Sequence, residues 1–186
     1  MGRGVMQTMM GFGRPTKTVI QTAFVVEDLA AALHYYTRTL NIGPFFTLPH
    51  RTAPGRIYRG MESLTESSLA MGFVGNMQIE LIQQHDDAPS LFKEAVEAEG
   101  YGFHHYGVVH DDVEAVLPAY YGEGYELVGS TPVPTGGTVV FLQSPDPVHR
   151  GYLELIPYTE AMDEMFTRYW QAAQGWDGTD PVRDFG

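Results

Sequence analysis

Residues 21–28, QTAFVVED, and residues 105–112, HYGVVHDD, are two similar stretches that decide the fold. Each stretch begins with a polar side chain, continues through an apolar segment typical of a β-strand, and reaches an aspartate seven residues later. Asp28 suits the N-cap of the helical pattern DLAAALHYYTRTL, and the second stretch is followed by the helical pattern DDVEAVLPAYYGEG. The agreement indicates an internal repeat.

Further strand patterns follow each helix. The first half continues through the Pro- and Arg-containing stretch LPHRTAPGRIYRG to SLAMGFVG and NMQIELIQQ, and the second half continues with YELVGSTPV, GGTVVFLQS and GYLELIP. The closing strands also match, because Glu80 lies within IELI and Glu154 lies within LELI. We therefore predict an α+β fold in which two tandem β-α-β-β-β modules form a curved mixed sheet that encloses a cup.

The repeat also sets the predicted boundaries of these modules. Residues 18–85 form the first module, residues 86–100 a connector with a short helix, and residues 101–158 the second module. Residues 1–17 are rich in Gly and Met, so we expect an arm without its own core, either mobile or lent to a neighbour. We expect residues 159–186 to form a helix and a tail. The apolar face of this helix would pack on the core or on a second subunit, and the alternative is that the helix acts as a lid over a binding site.

Composition excludes several classes of function. The chain has 186 residues, 44% hydrophobic composition and a net charge of -12, so binding to nucleic acid or an anionic membrane is not expected. Cysteine is absent, which removes disulfides and thiolate metal sites. The chain shows no apolar stretch typical of a signal peptide or membrane span, and we expect a cytoplasmic protein.

Four polar side chains occupy matched places in otherwise apolar strands: Gln21, Glu80, His105 and Glu154. If the two modules pair around a pseudo-twofold axis, the equivalent faces of their strands converge. Two buried carboxylates would repel each other and lose hydration, and a divalent cation would remove both penalties. The N/O donor set suits Zn²⁺, with slight preference, or Ni²⁺, Co²⁺, Fe²⁺ or Mn²⁺.

The segments QTAFVVEDLAAALHYYTRTLNI and HYGVVHDDVEAV, with the closing IELI and GYLELIP, resemble the vicinal oxygen chelate superfamily of glyoxalases, bleomycin-resistance proteins and dioxygenases. The resemblance spans residues 18–157 and implies one domain overall. It also implies that the order Gln, Glu, His, Glu is the metal-ligand set of zinc-type glyoxalase I enzymes. The reaction implied is a lyase, isomerase or epimerase step through a metal-stabilised enediolate, with Glu154 or Glu80 as the base.

Three positions depart from the glyoxalase I pattern. Where the enzymes that bind glutathione carry a basic residue, an Asn and an Arg, this chain has Val25, Gln84 and Tyr101. We therefore expect a substrate other than the glutathione hemithioacetal. Two alternatives remain: a metal-free protein that sequesters a small molecule, as bleomycin-resistance proteins do, and an extradiol-type dioxygenase, which the Gln at position 21 disfavours because that class uses a second His.

Other polar residues are weaker candidates. Arg51, Arg56 and Arg59 form a basic cluster that could bind an anionic group of a hydrophobic or anionic substrate, although surface ion pairs with the many acidic residues are the favoured explanation of the cluster. His104 should point away from His105 as a packing residue, because neighbouring side chains in a strand alternate between faces. We expect a homodimer, with the N-terminal arm and the final helix as the segments available for contact with a second copy.

Overall fold

The computed structural model describes residues 7–186 and contains an open, curved sheet of eleven strands with helices packed on it. The strands lie in the order β11-β2-β5-β6-β1-β7-β10-β9-β8-β3-β4. Their bounds in the first half, with those of the helix between them, are β1 Val19–Val25, α1 Leu29–His34, β2 Phe45–Arg51, β3 Ile57–Tyr58, β4 Met61–Glu62, β5 Ser67–Val74 and β6 Met77–Gln84.

The second half repeats the pattern after a connecting helix. The bounds are α2 Leu91–Glu99, β7 Gly102–His110, α3 Val113–Gly122, β8 Glu126–Pro132, β9 Thr138–Gln143, β10 Tyr152–Pro157, α4 Glu160–Ala173 and β11 Val182–Asp184. The predicted α+β fold of two β-α-β-β-β modules is confirmed. Helix α1 continues into a π-helical turn over Tyr35–Thr39, and α3 contains Pro118 within its span.

The two modules have the same internal pairing and meet along their first strands. In the first module β1 pairs in parallel with β6, and in the second β7 pairs in parallel with β10. Strand β1 then pairs with β7 in antiparallel orientation, which joins the modules edge to edge. One chain therefore completes the cup without exchanging a module with a second copy.

Matched caps start the two helices that follow β1 and β7. The Asp28 carboxylate accepts a hydrogen bond from the Ala31 amide at 3.0 Å, and the Asp112 carboxylate accepts one from the Ala115 amide at 3.0 Å. These bonds satisfy amides at the start of each helix that have no intrahelical partner. Each capping aspartate lies seven residues after the matched polar side chain, Gln21 or His105, so the repeat extends to the caps.

Two additions to the sheet were not predicted from the sequence. The β3–β4 hairpin interrupts the first module and pairs through β3 with β8 of the second module. Near the C-terminus, β11 pairs in parallel with β2 at the opposite edge of the sheet. Within residues 7–186 no helix is long and apolar enough to cross a membrane.

The main core lies between the concave face of the sheet and α4. Helix α4 presents Met162, Phe166 and Tyr169 to this core, and Tyr169 stacks on Phe46 with ring centroids 3.9 Å apart. The helix therefore packs on its own chain, as one of the predicted alternatives stated, and the amphipathic pattern of its sequence is explained by that packing.

The N-terminal segment differs from the expected arm. Residues 1–6 lie outside the described residues, but Met10 and Phe12 are fully buried in the main core. Phe12 contacts Phe73 and Phe166 at ring-centroid distances of 5.5 and 6.4 Å. Gly and Met suggested a segment without a core, whereas two apolar side chains are enough to fix it against the core of the sheet.

We predict that Phe12→Ala lowers the free energy of unfolding by about 3 kcal/mol, because it empties a buried aromatic site. Chemical denaturation measures the change, and Met9→Ala is the matched control, since Met9 is 64% exposed. The control should change stability by less than about 0.5 kcal/mol. Equal effects of the two substitutions would show that the segment does not belong to the core.

Candidate functional site

The concave face of the sheet lines a cavity with an empty volume of about 760 Å³, including its open mouth. Its wall is mostly apolar, and helix α4 covers one side with Met162, Met165 and Phe166. The charged or polar side chains in the wall are Gln21, Arg51, Arg56, Glu80, His105, Thr131, Thr135 and Glu154. All four predicted metal ligands therefore lie in one cavity, with two of the three predicted arginines.

The strand register explains why the four predicted ligands converge. Ala23 of β1 lies opposite Glu80 on one side and His105 on the other. Gln21 lies opposite Gly107, which in turn lies opposite Glu154 of β10. Since side chains of paired residues project from the same face of a sheet, all four point into the cup.

The four side chains meet at the imidazole of His105. Its Nε2 atom lies 3.2 Å from Glu154 Oε2, 3.4 Å from Gln21 Oε1 and 3.5 Å from Glu80 Oε2. Gln21, Glu80, His105 and Glu154 are all buried. The matched positions in the sequence thus become one compact group of donors at the junction of the two modules.

Two neighbours fix the amide of Gln21. Its Nε2 donates to Gln78 Oε1 at 2.8 Å, so Gln21 Oε1 is the atom left to face His105. Gly107 provides the space, because a Cβ at that position would lie 2.4 Å from Gln21 Oε1. The oxygen of the amide, the atom that a metal would bind, is therefore directed at the centre of the site.

His104 does not point away from His105 as the alternation of a regular strand predicts. The pairing of β1 with β7 shifts register after Ala23, which pairs with His105, so that Phe24 pairs with Phe103. His104 is the extra residue of this bulge, and its Nδ1 lies 2.7 Å from Nδ1 of His105. A bulge redirects a side chain in this way, and no pattern in the sequence predicts it.

The contact between the two histidines and the contact of His104 with Leu91 agree on one placement of protons, in which His105 Nε2 and Gln21 Oε1 both face the centre of the site as acceptors. If His105 keeps Nε2 unprotonated toward Glu80 and Glu154, its Nδ1–H donates to His104 Nδ1. His104 then carries its proton on Nε2, which lies 3.4 Å from the carbonyl oxygen of Leu91. His104 thereby fixes both the ring orientation and the tautomer of His105, as residues beside metal-binding histidines commonly do.

Burial keeps this group of side chains uncharged in the protein without a metal. Desolvation and the nearby Glu154 raise the pKa of Glu80 well above its ordinary value. Desolvation also raises the pKa of Glu154 to about 8 and lowers the pKa of His105 to about 3. The close approaches of His105 Nε2 to Glu80 and Glu154 are therefore contacts between neutral groups, not ion pairs.

The donor spacing and chemistry fit a small divalent cation. Ligands held about 2.0–2.1 Å from a tetrahedral ion are roughly 3.3 Å from one another, close to the separations measured from His105. Among residues 7–186, no three His, Asp or Glu side chains already surround a common point as in a formed metal site. Gln21, Glu80, His105 and Glu154 could hold the ion after small side-chain adjustments.

The three arginines of the predicted basic cluster separate in the structure. Arg51 and Arg56 line the cavity, whereas Arg59 does not. Arg59 lies on the outside, where its Nε donates to Glu94 Oε2 at 2.6 Å. Glu94 also accepts hydrogen bonds from Tyr58 and Tyr152. Arg59 therefore forms a surface ion pair with Glu94 and does not line the cavity in which a substrate contact was predicted.

Sequence reasoning missed three residues of the site: Gln78, His104 as a partner of His105, and Gly107. Gly107 left a usable signal, because it follows His105 by two residues just as Ala23 follows Gln21. Small residues at these matched positions leave room for the ligands of the opposite strand. Gln78 and His104 left none, since their roles depend on side-chain direction.

The family can now be stated from comparison as well as geometry. The family model described as the Glyoxalase/Bleomycin resistance protein/Dioxygenase superfamily matches residues 20–141. The match covers more than half of the chain, and the chain belongs to this superfamily. The matched segment contains Gln21, Glu80 and His105 and ends before Glu154. No curated protein sequence matches the chain.

Solved structures share the fold at low sequence identity. A hypothetical protein from Bacillus halodurans C-125 has a TM-score of 0.57 and 18% identity, covering 77% of this chain and 95% of that one. Methylmalonyl-CoA epimerase from Mycobacterium tuberculosis has a TM-score of 0.56 and 17% sequence identity, and the match covers 79% of this chain and 92% of the epimerase. A variant Streptomyces coelicolor methylmalonyl-CoA epimerase in complex with 2-nitronate-propionyl-CoA has a TM-score of 0.56 and 17% sequence identity. This match covers 78% of this chain and 96% of that one. These likenesses establish the fold.

We predict that the metal-free protein loses stability as the pH rises from about 6.5 to about 8. The folded state holds protons on Glu80 and Glu154 that the unfolded chain, with ordinary values of 4.5, has already released. His104, His105 and His110, whose pKa values are lowered, act in the opposite direction, and their effect fades as the pH rises above the unfolded value of 6.5. Between these two pH values the carboxyl groups therefore give the larger effect.

Urea denaturation of chelator-treated protein at both ends of this window measures the effect. Glu154→Gln should reduce the dependence on pH, because the amide does not titrate, while the exposed substitution Glu62→Gln should leave it unchanged. A free energy of unfolding that stays constant or rises between the two pH values would contradict the assignment of neutral buried carboxyl groups.

Proposed function

We propose that this protein is a divalent-metal-dependent enzyme of the lyase or isomerase/epimerase type, with Gln21, Glu80, His105 and Glu154 as metal ligands. One observation carries the proposal. Three oxygen donors lie 3.2–3.5 Å from Nε2 of His105 inside a mainly apolar cavity. Two carboxyl groups buried this close together are costly for folding, and a cation is the simplest compensation.

The two carboxyl groups are suited to proton transfer from both sides. Glu80 is on β6 and Glu154 is on β10, and these strands flank the central β1–β7 pair. A substrate carbon held over the central pair would therefore face one carboxyl group on either side. One group can remove a proton and the other can return it, which is what isomerisation or epimerisation requires.

The bound cation would supply Lewis-acid polarisation of two neighbouring substrate oxygens, which acidifies the adjacent C–H bond. The chain itself contributes orientation and exclusion of water. Gln78 and His104 fix Gln21 and His105, and the apolar side chains of α4 cover the cavity. Zn²⁺ remains the slightly favoured ion, because mixed imidazole and carboxylate donors suit it.

The substrate is proposed to differ from the glutathione hemithioacetal. Val25, Gln84 and Tyr101, which replace the glutathione-binding residues, line a separate surface pocket beside α2. Gln84 is engaged there with Asp86, Ala88 and Ser90, and the same pocket contains Asp86, Asp87 and Glu97. Those carboxylates would repel the carboxylates of glutathione.

A second candidate is a metal-free protein that sequesters a small apolar molecule. The mainly apolar lining of the cavity favours it. The group of donors counts against it, since an apolar ligand needs none of them. The homodimer and the cytoplasmic location stay predictions; the two modules already join within one chain, so a dimer is not needed to form the site.

We predict that protein purified without chelator contains about one divalent metal ion per chain by elemental analysis. Glu80→Gln and His105→Ala should each lower the bound metal at least roughly tenfold, because the first replaces an anionic ligand by a neutral, weaker one and the second removes a ligand. Turnover of small carbonyl substrates, followed as exchange of the adjacent C–H proton in D₂O, should fall with the metal content.

Glu62→Gln and His34→Ala are the matched controls, since both side chains are exposed and lie outside the cavity. Both should retain the metal. Native protein that contains no metal and does not take it up during dialysis against Zn²⁺, Ni²⁺, Co²⁺, Fe²⁺ or Mn²⁺ would refute the proposal and favour the sequestering protein.

A further inference from the structure

A second polar region lies in the cavity wall beyond the metal-ligand candidates. It consists of Arg51, Arg56 and Ser67, which we call the arginine cradle. Arg51 and Arg56 line the cavity directly. Ser67 lies opposite Arg51 in the pairing of β2 with β5, on the same face of β5 as the cavity-lining Leu69 and Met71.

One edge of the Arg56 guanidinium makes no hydrogen bond to any of residues 7–186. Its Nη1 donates to the carbonyl oxygen of Thr65 at 3.0 Å. Its Nε is buried and has no hydrogen-bond partner among residues 7–186, although the whole residue is only 3% exposed. The Nε–Nη2 edge of a guanidinium is the edge that binds a carboxylate or phosphate with two parallel hydrogen bonds.

The other members of the cradle also retain hydrogen-bonding capacity. The hydroxyl oxygen of Ser67 is buried and lacks a partner within the described part of the chain. Arg51 donates from Nη2 to the carbonyl oxygen of Pro132 at 3.0 Å, a neutral acceptor. Buried polar atoms without partners are rare in folded proteins, and the two at Arg56 and Ser67, beside the half-buried Arg51, indicate a missing ligand.

The positive charge of the cradle is not balanced by a close carboxylate. In residues 7–186, no Asp or Glu oxygen pairs with Arg51 or Arg56 within the 4.0 Å of a salt bridge. Burial, followed by repulsion from Arg51, lowers the pKa of Arg56 to about 10 against a smaller opposing effect of Asp86, so Arg56 is still charged at neutral pH. Two cations in a chain of net charge -12 are thus held in the cavity without an ion-pair partner.

The register places the cradle at a distance from the metal-ligand candidates. Ser67 precedes Met71 by four residues on β5, and Met71 lies opposite Glu80. Four residues of a strand span roughly 13 Å. Leu69 and Ile82 lie between these two rows and line the cavity. An apolar stretch of wall therefore separates an anion-binding end from a metal-binding end.

We propose that the natural ligand is an elongated amphipathic acid whose carboxylate or phosphate group binds to the arginine cradle, while its apolar body lies along Leu69 and Ile82. The assignment of its other end to the metal-ligand candidates rests on the proposed function. The binding of the anionic end does not, because the cradle is independent of the metal.

Isothermal titration calorimetry of chelator-treated protein tests the anionic end, with three probes that share one apolar chain: octanoate, octyl phosphate and octanol. The tighter-binding anion should bind at least about tenfold more tightly than octanol, since charge-assisted hydrogen bonds add to the shared apolar contact. Which of the two anions binds more tightly identifies the head group.

Arg56→Met and Arg51→Met should each remove most of this preference and leave the affinity for octanol unchanged. Arg59→Met is the matched control and should keep the full preference, because Arg59 pairs with Glu94 outside the cavity. Arg51→Met decides the question if Arg56→Met does not fold, since Arg51 is only half-buried.

Equal affinity for octanol and both anions, or an unchanged preference in the folded arginine variants, would overturn the proposal. The result is independent of the metal measurement. If the native protein is metal-free but prefers the anions, the arginine cradle is supported and the proposed enzyme is refuted. If the protein contains the metal but shows no preference for the anions, the enzyme is supported and the cradle is refuted.

Discussion

The antiparallel pairing of β1 with β7 is the constraint on which the rest of the molecule depends. It joins two similar modules within one chain and sets Ala23 opposite His105 and Gln21 opposite Gly107. Each of these strands then carries a parallel neighbour that brings one glutamate to the same face. A shift of register by one residue would send these side chains to the outside of the sheet.

The same pairing concentrates groups that do not favour burial. In the metal-free protein, burial in the apolar cavity keeps Glu80 and Glu154 protonated and neutral, and it keeps the imidazole of His105 neutral. Such an arrangement stabilises the fold less than apolar side chains of similar size would. Its presence at the junction of the modules is explained if the protein uses these groups, and the bulge at His104 and the small Gly107 serve the same centre.

The sequence was sufficient for the features that rest on local pattern and on the repeat. The modules, the Asp28 cap and the convergence of Gln21, Glu80, His105 and Glu154 follow from periodicity and matched spacing. The bulge that turns His104 inward, the β3–β4 hairpin and the separation of Arg59 from Arg51 and Arg56 did not follow. These depend on tertiary pairing, which overrides alternation along a strand and proximity in the chain.

The most direct test of the account is a crystal structure of the metal-loaded protein with anomalous diffraction data at the absorption edge of the bound metal. We expect one anomalous peak within about 2.0–2.2 Å of His105 Nε2, of Gln21 Oε1 and of one carboxylate oxygen each from Glu80 and Glu154. A protein that binds metal with no peak at His105, or only at surface sites, would contradict it.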